Sequence, residues 1–572
     1  MILQALYDYA QRKGDALPED GFEDVEIKYL IKIRKDGSLV DLISTVEDKK
    51  GHVYEKVPQK AARSRNIAAS LLYDNIGYVL LDETKRETFV KQIENLPQNV
   101  REEKAIQAVI AFYRGNKTNG LEKISSMALW EECQKHAGNF SFVIEGEDEI
   151  VPQLPAIREY QRQVMAEKTS VTGQSSAKKN SAGICLITGE KSVISQLHTA
   201  IPMRNTSMGQ APVVSFNEKA FESYGKKQSL NAPVSVKAVS AYTKALNYLA
   251  TSKDNSFFLG KDTVVFWAEK DTDGYDFEGS FASFFNPWKE DAPDAGVLQV
   301  KNLFKAVETG KLEDIESNFF VLCFSPNAGR ISVRFWETGK VAEFAKRIKQ
   351  HFDDFEIVRA PYEKEYLNLY QILSATALEH KMDNVAPNLI GSVMQSILKG
   401  LPYPVTLQQQ CIRRIRAEQK VTRERAAILK AYINRVNRYK NMQEVSVALD
   451  KNCADIGYLL GRLFAVYEKV QQDTHPNLNA TITDRFYGAA STNPITVFTQ
   501  LNRLNQHHLA NYENKGLRTV REKEIGEIMD KIASFPAHLD LNAQSMFAIG
   551  YYHEKQSFFN KTENLEKSEG EN

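Results

Sequence analysis

The chain has 572 residues, too many for one hydrophobic core, because cores stop growing near ~250 to 300 residues and the chain then divides into domains. With 42% hydrophobic and 26% charged residues it has ordinary soluble composition, and no run approaches the ~18 apolar residues that a membrane span requires. Its 73 basic and 73 acidic residues cancel, which excludes a protein that coats nucleic acid through its overall charge and directs attention to local clusters.

The opening MILQALYDYAQRKG sets Ile2, Leu3, Leu6 and Tyr9 at helical spacing, without the continuous apolar stretch of a signal peptide. Residues 26–45, EIKYLIKIRKDGSLVDLIST, alternate apolar and polar on either side of Asp36-Gly37, a pair that tolerates the positive φ of a tight turn, and so predict a hairpin. In HVYEKVPQKAARSRN, Lys56, Lys60, Arg63 and Arg65 outnumber Glu55, which predicts a basic loop over 52–70 running into the apolar IAASLLYDNIGYVLL. Residues 86–136 read as mainly helical, most clearly in EEKAIQAVIAFYRG and KISSMALWEECQKH. TSVTGQSSAKKNSA, 169–182, has the small, polar, basic composition of a flexible loop.

Short strand-like runs follow at GICLITG, APVVSFN and DTVVFWAE, then an acidic helix near KLEDIES and a hairpin through Asn327-Ala328-Gly329. Beyond about residue 338 the periodicity is helical, from VAEFAKRIKQHF and NLIGSVMQSILKG to IGYLLGRLFAVYEKVQ and EIGEIMDKIASF. The expected fold is therefore α+β. A mixed, sheet-containing region over 1–338 precedes an all-α helical bundle over 339–560, and KTENLEKSEGEN at 561–572 forms a disordered polar tail.

Chemistry of the catalytic kind is sparse. Thr188-Gly189-Glu190-Lys191-Ser192 resembles a phosphate loop, but Glu190 separates glycine from lysine and the upstream glycine is missing. Cys185, His198 and Asn217 invite a Cys-His hydrolase or half a metal site, yet zinc needs three or four ligands. The five cysteines, Cys133, Cys185, Cys323, Cys411 and Cys453, form no CxxC pair, as in a reducing cytoplasm. DTDGYD at 271–276 lacks the closing glutamate of a calcium loop. No active site, cofactor or metal is expected.

Binding chemistry is richer. Within SFNEKAFESYGKKQSLNAPVSVKAVSAYTKALNYLA, Asn217, Lys219, Tyr224, Lys226, Lys227, Gln228 and Asn231 bring cations, an aromatic ring and amides together, as nucleic-acid sites do. An amphipathic helix follows Pro233. From Cys411 to Lys440, ten basic residues stand against Glu418 and Glu424, which predicts a surface that follows a phosphate backbone or meets an acidic partner, or else a solvated helix face.

These runs resemble a known family. CLITGEKSVISQLHTAIP, GQAPVVSFNEKAFESYGKKQSLNAPVSVKAVSAYTKALNYLA and TVVFWAE are similar to the large subunit of the type I-C CRISPR surveillance complex, the Cascade of that subtype. So are MILQALYDYA, RSRNIAASLLYDNIGYVLL, SPNAGRISVRFWE, GLPYPVTLQQQCIRRIRAEQ, IGYLLGRLFAVYEKVQ and ITDRFYGAASTNPITVFTQLNRLNQHHL, so the resemblance covers nearly the whole chain. It implies a non-catalytic, cytoplasmic subunit at the foot of a complex built on CRISPR guide RNA, alongside backbone and small subunits and away from membranes. Such a subunit reads the protospacer-adjacent motif in target double-stranded DNA, helps open the duplex, stabilises the R-loop and supports recruitment of a separate helicase-nuclease. The resemblance further implies that the C-terminal helices are similar to the small subunit and can be made separately, for which Met442 is the candidate start.

On this reading Lys60, Arg63, Ser64, Arg65, Asn66 and Ser70 are assigned to the DNA motif, although RSRN here replaces the family's glycine-containing RTSG-like turn. Asn217, Lys219, Tyr224, Lys226, Lys227, Gln228 and Asn231 are assigned to nucleic-acid backbone, together with Arg413, Arg414, Arg416, Arg423 and Arg425. The alternatives are a metal-dependent nuclease using His198 and a scaffold that binds only proteins. For Cys185 to Ala250, two roles stand open: direct contact with nucleic acid, or support for the basic N-terminal loop.

Overall fold

The structure is a computed structural model that describes residues 1–569 apart from 49, 62–66, 116–119, 137, 170–181, 204–209, 217, 271–274, 287–292, 314, 328–329 and 477–479, with the backbone alone at 168–169, 202, 293 and 560–569. Two compact units divide it: Met1–Thr251 with Pro326–Ile331, and Ser252–Ser325 with Ser332–Asn572.

In the first unit, helix α1 (Ile2–Lys13) buries Ala5, Leu6, Tyr9 and Ala10 at helical spacing and ends at Gly14, whose φ is 48°. Strands β1 (Phe22–Ile27), β2 (Tyr29–Ile33), β3 (Leu39–Ser44), β4 (His52–Pro58), β5 (Tyr73–Asn75) and β6 (Asn139–Ile144) make two sheets, β1-β4 and β3-β2-β6-β5. The predicted hairpin joins β2 to β3, with Tyr29 opposite Ser44 and Ile33 opposite Leu39. Its turn is held by Ser38, whose N–H and hydroxyl both donate to Asp36 Oδ1 at 2.9 and 2.6 Å. Gly37 is required there twice over. Its φ is 80°, and a Cβ would come within 2.6 Å of Ala111 on a packed helix.

Helices α2 (Glu83–Glu94), α3 (Gln98–Arg101), α4 (Lys104–Arg114) and α5 (Trp130–Lys135) cover the larger sheet. Phe89, Ile93, Val109 and Phe112 share one apolar cluster with Ile31, Phe140 and Phe142. The second predicted helix here is shorter than expected: Leu121–Ser126 is a 3-10 segment, in which the Ser126 hydroxyl takes the Lys123 carbonyl at 2.7 Å. Helix α6 (Pro155–Thr169), strands β7 (Ala182–Ile184), β8 (Lys191–Val193), β9 (Ala200–Pro202) and β10 (Gln210–Pro212), and helix α7 (Val236–Thr251) complete the unit. Residues 170–181 of the expected flexible loop lie outside the described residues.

The basic loop expected over 52–70 begins later than its composition suggests, because His52–Pro58 is strand β4, antiparallel to β1. A β-bulge hides the alternation. Glu55 and Lys56 together oppose Asp24, Lys56 adopts φ 54°, and its N–H donates to Asp24 Oδ1 at 3.2 Å.

In the second unit, β11 (Ser256–Leu259), β12 (Asp262–Ala268), β13 (Asn318–Asn327) and β14 (Arg330–Lys340) form a sheet in that order. The helices are α8 (Phe277–Phe285), α9 (Pro293–Glu308), α10 (Val341–Phe355), α11 (Leu369–Ser374), α12 (Leu389–Lys399), α13 (Val405–Glu418), α14 (Arg423–Tyr439), α15 (Ile456–Thr474), α16 (Ile482–Ala490), α17 (Pro494–Ala510), α18 (Lys515–Met529) and α19 (Leu541–Glu569). The helix expected near KLEDIES lies upstream, as α9, and α19 carries helix into the 561–572 stretch read as a tail. One apolar cluster runs from Phe257 in the sheet to Phe558 in α19. Element type therefore changes near residue 340, whereas packing changes at Thr251, since the sheet shares its core with the bundle. At the bundle's centre α15 and α19 approach so closely that a Cβ on Gly461 would lie 2.0 Å from the Phe547 carbonyl oxygen. Among the described residues no helix is long and apolar enough to cross a membrane.

Candidate nucleic-acid interface

The first-unit site is built on the roots of the basic loop. Arg63, Ser64, Arg65 and Asn66 lie outside the described residues, but both ends of the segment are fixed. The Lys60 N–H donates to Glu23 Oε1 at 2.7 Å, and the Tyr73 hydroxyl donates to the same oxygen at 2.8 Å. Burial nevertheless raises the Glu23 carboxyl above the usual carboxylate range, against the pull of those two donors. Across the loop's mouth the Ala61 N–H donates to Ser70 Oγ at 3.3 Å, while the Ser70 N–H donates to Asp74 Oδ2 at 2.9 Å. Ser70, assigned to the DNA motif from sequence, is 1% exposed and is engaged by both of these bonds. Half-buried Lys60 remains at the rim. Glu23, Tyr73 and Asp74 carry this geometry and escaped the sequence reading, because Glu23 meets Lys60 across 37 positions of chain and no local pattern connects them.

The Cys185 to Ala250 block lies against those roots. Lys60, Ala61 and Thr199 line two cavities, of about 730 and 240 Å³, with Gln59 and residues 195–197 on the larger and His198 and Ala200 on the smaller. Gln59 Nε2 reaches Thr199 Oγ1 at 3.5 Å. The block is itself fastened to the start of α7: Leu186 N–H donates to the Pro233 carbonyl and Ser195 N–H to the Val234 carbonyl, both at 2.9 Å.

Cys185 and His198 take different partners on this frame. The Ser235 N–H donates to Cys185 Sγ at 3.3 Å. Burial raises the thiol's pKa, and hydrogen bonds from Ser235 and Thr188 overcome that to leave it at about 7. His198 Nδ1 lies 2.5 Å from the Tyr242 hydroxyl, and burial lowers the imidazole to about 4, so it is neutral near pH 7. Among the described residues no three metal-ligating side chains gather as a metal site requires.

Residues 218–231 divide into clamp and tip. Asn231 is the clamp, since its Oδ1 accepts from Ser223 N–H at 3.0 Å and its Nδ2 donates to the Lys226 and Gln228 carbonyls at 3.0 and 2.9 Å. Assigned to nucleic-acid backbone from sequence, Asn231 spends its amide holding the turn. Lys219, Tyr224, Lys226 and Lys227 are exposed, Gln228 is half-buried and Asn217 lies outside the described residues. The sequence reading missed Arg330, whose guanidinium lies 5.1 Å from the ring centre of Phe221.

In the second unit the basic run from Cys411 to Lys440 is less basic at its surface than in its sequence. Arg425 is wholly buried, donating to the Ala375 and Lys420 carbonyls at 3.1 and 2.9 Å and pairing with Glu418. Arg423 donates to the Lys364 and Glu365 carbonyls at 2.6 and 3.0 Å. Both were assigned to nucleic-acid backbone from sequence; in the fold their guanidiniums are occupied by main-chain carbonyls. Arg414 is paired with Glu418 at 2.8 Å. Arg413, Arg416 and Lys420 stay exposed, without an ion pair among the described residues.

No curated protein matches the chain. A family model described as CRISPR-associated protein (Cas_Csd1) matches residues 3–559, so both units and nearly every motif quoted above fall inside it. Over that length the match cannot come from one shared module, and the chain belongs to the Cas_Csd1 family of CRISPR-associated proteins, components of the Cascade surveillance complex.

Proposed function

We propose that this chain is the subunit of an RNA-guided surveillance complex that reads the protospacer-adjacent motif in double-stranded DNA, by binding and without catalysis. The observation that carries the reading is the braced basic loop. Lys60, Arg63, Arg65 and Asn66 sit on a segment whose two ends are pinned by Glu23, Ser70 and Asp74, and a reading loop needs such fixed roots to place donors against base edges. A subunit of this kind need recognise only a few base pairs, because guide pairing carries the rest of the sequence. Its partners are then CRISPR guide RNA, target double-stranded DNA, the backbone and small subunits, and a recruited helicase-nuclease. The exposed Lys219, Lys226, Lys227, Arg413 and Arg416 suit the phosphates of the opened strands. His198 held by Tyr242 and Cys185 held by the Ser235 amide favour the binding reading over the nuclease alternative.

The test is a gel-shift titration of the assembled complex against target duplexes that differ only in the flanking motif. The wild type binds the correct motif more tightly. Changing Arg63 and Arg65 together to Gln weakens duplex binding sharply at near-physiological salt and leaves guide-RNA assembly intact; unchanged binding sinks the assignment. A separate C-terminal product is part of the same proposal. Met442 is exposed in the segment between α14 and α15, and mass spectrometry of purified complex should find a fragment beginning there.

A further inference from the structure

We propose that Tyr224 is a stacking platform for one unpaired nucleobase, with Lys226 and Lys227 on the phosphates beside it; this rests on the nucleic-acid reading of the same block and names the ligand it takes. Ser223 and Lys226 form an antiparallel bridge around Tyr224-Gly225, so these two residues are the centre of a tight turn. Tyr224 has φ 50° and Gly225 has φ 68°. Turns with two left-handed central residues favour Asn-Gly or Gly-Gly, whereas a bulky side chain in that region is an outlier. Gln228, at φ 50°, adds a third left-handed residue within five positions.

The strain is not repaid inside the chain. Tyr224 is 98% exposed, so its ring packs on no other ring or side chain among the described residues. A backbone that would favour glycine costs stability, a ring left in water recovers none of it, and such outliers concentrate where a ligand is held. The turn is rigid because Asn231 fixes it from beneath through three hydrogen bonds. Phe221, the neighbouring exposed ring, is already covered by Arg330, which leaves Tyr224 as the open π-face beside the cations. A single-stranded nucleic acid matches this surface: any base offers a face for the ring, and its two flanking phosphates meet the two lysines. A duplex hides its base faces in the stack, so the site selects unpaired strand.

The test uses the full chain, with a short oligothymidylate and an abasic strand of equal length as probes. Wild type binds the oligothymidylate more tightly than the abasic strand. Tyr224→Ala weakens the first by roughly 5- to 150-fold, the range for removal of one stacked base, and leaves the second unchanged. Tyr224→Trp keeps the wild-type affinity. Tyr224→Gly relieves the backbone, so it loses the same affinity as alanine while melting at or above the wild-type temperature. Lys226→Gln with Lys227→Gln lowers the slope of log affinity against log salt by about 1.4, the value for two single-strand phosphates. Equal wild-type affinity for both strands overturns the proposal, as does an alanine variant that binds like wild type or one that only releases another protein subunit. If the stack fails while the wild-type complex still discriminates the flanking motif, the proposed function stands without it. Loss of motif discrimination in the wild type removes that function instead.

Discussion

Two basic clusters look alike in the sequence and differ in the fold. Around Lys226 and Lys227 the cations are exposed at the end of a clamped turn. Along Cys411 to Lys440, by contrast, Arg423, Arg425, Lys430 and Arg435 are buried. There they do the work of capping groups: Arg435 pairs with buried Asp354 at 2.6 Å and donates to the Ser396 and Leu401 carbonyls at 2.7 and 2.6 Å, and Lys430 donates to the Asp354 carbonyl at 3.0 Å. A local excess of positive charge thus marks either a surface for phosphate or an interior rich in stranded carbonyls, and only the partners of each cation tell which.

The sharpest way to break that contrast is to remove one interior cation. Arg435→Met leaves Asp354 buried with Arg438 as its remaining ion pair, and the expected loss is ~3 to 5 kcal/mol of stability. Urea denaturation should show it, with unchanged nucleic-acid affinity per folded molecule. An equal loss of affinity in the folded fraction would erase the distinction between the two clusters.

Acid should act next most strongly, through the anchor of the first-unit block. Burial depresses His198 from 6.5 to about 4, so its neutral form contributes stability that is fully present above pH 6.5 and is lost as the pH falls through 4. The contribution is about 3 kcal/mol. His351 and His553, in the second unit, shift in the same direction through burial, so the reading must be a difference. His198→Gln keeps a hydrogen-bonding group for Tyr242 and removes the titration; stability measured from pH 7 to 4 should then fall less steeply than in wild type. Glu23 has the opposite sign. Its raised carboxyl favours folding below the ordinary carboxylate range, and that contribution fades as the pH rises through its raised pKa.

On the surface of the second unit the comparison predicts the reverse pattern. Arg413→Gln, Arg416→Gln and Lys420→Gln together should leave thermal stability within about 0.5 kcal/mol, as exposed substitutions do. The salt slope of nucleic-acid binding should drop by about 2 to 3, near 0.7 to 0.9 for each phosphate no longer neutralised. A large fall in melting temperature, with the slope intact, would place these three with the interior arginines.

What was legible in the sequence follows the range of the forces involved. Asp36-Gly37 announced its hairpin because turn chemistry is local, and α10 and α13 announced themselves through one-sided apolar spacing. Helix α19 did not, since its buried half packs on several sides and mixes Tyr551, His553 and Glu554 into the core, where Glu554 meets Arg462 at 2.7 Å. Strand β4 was hidden by its bulge, and α14 read as a basic surface helix although Arg425 to Arg435 lie buried along its whole circumference. At the site, the exposed cations of 219–227 were visible as composition. The roots of the basic loop were not, because Glu23 to Lys60 and Gln59 to Thr199 are contacts that only the finished fold creates.

The smallest expected effect tests whether those roots matter. Ser70→Ala removes the acceptor for the Ala61 N–H, a single neutral hydrogen bond worth about 1 kcal/mol. The Ser70 N–H keeps its bond to Asp74, so the chain entering β5 stays in place and the loss is confined to the loop's mouth. Amide exchange at Ala61 should quicken several-fold, and the assembled complex should discriminate less between correct and incorrect flanking motifs. The salt slope should not move, because no group that meets a phosphate is touched. Motif discrimination equal to wild type, at a visibly faster Ala61 exchange, would show that the bond between Ala61 and Ser70 contributes nothing to motif reading.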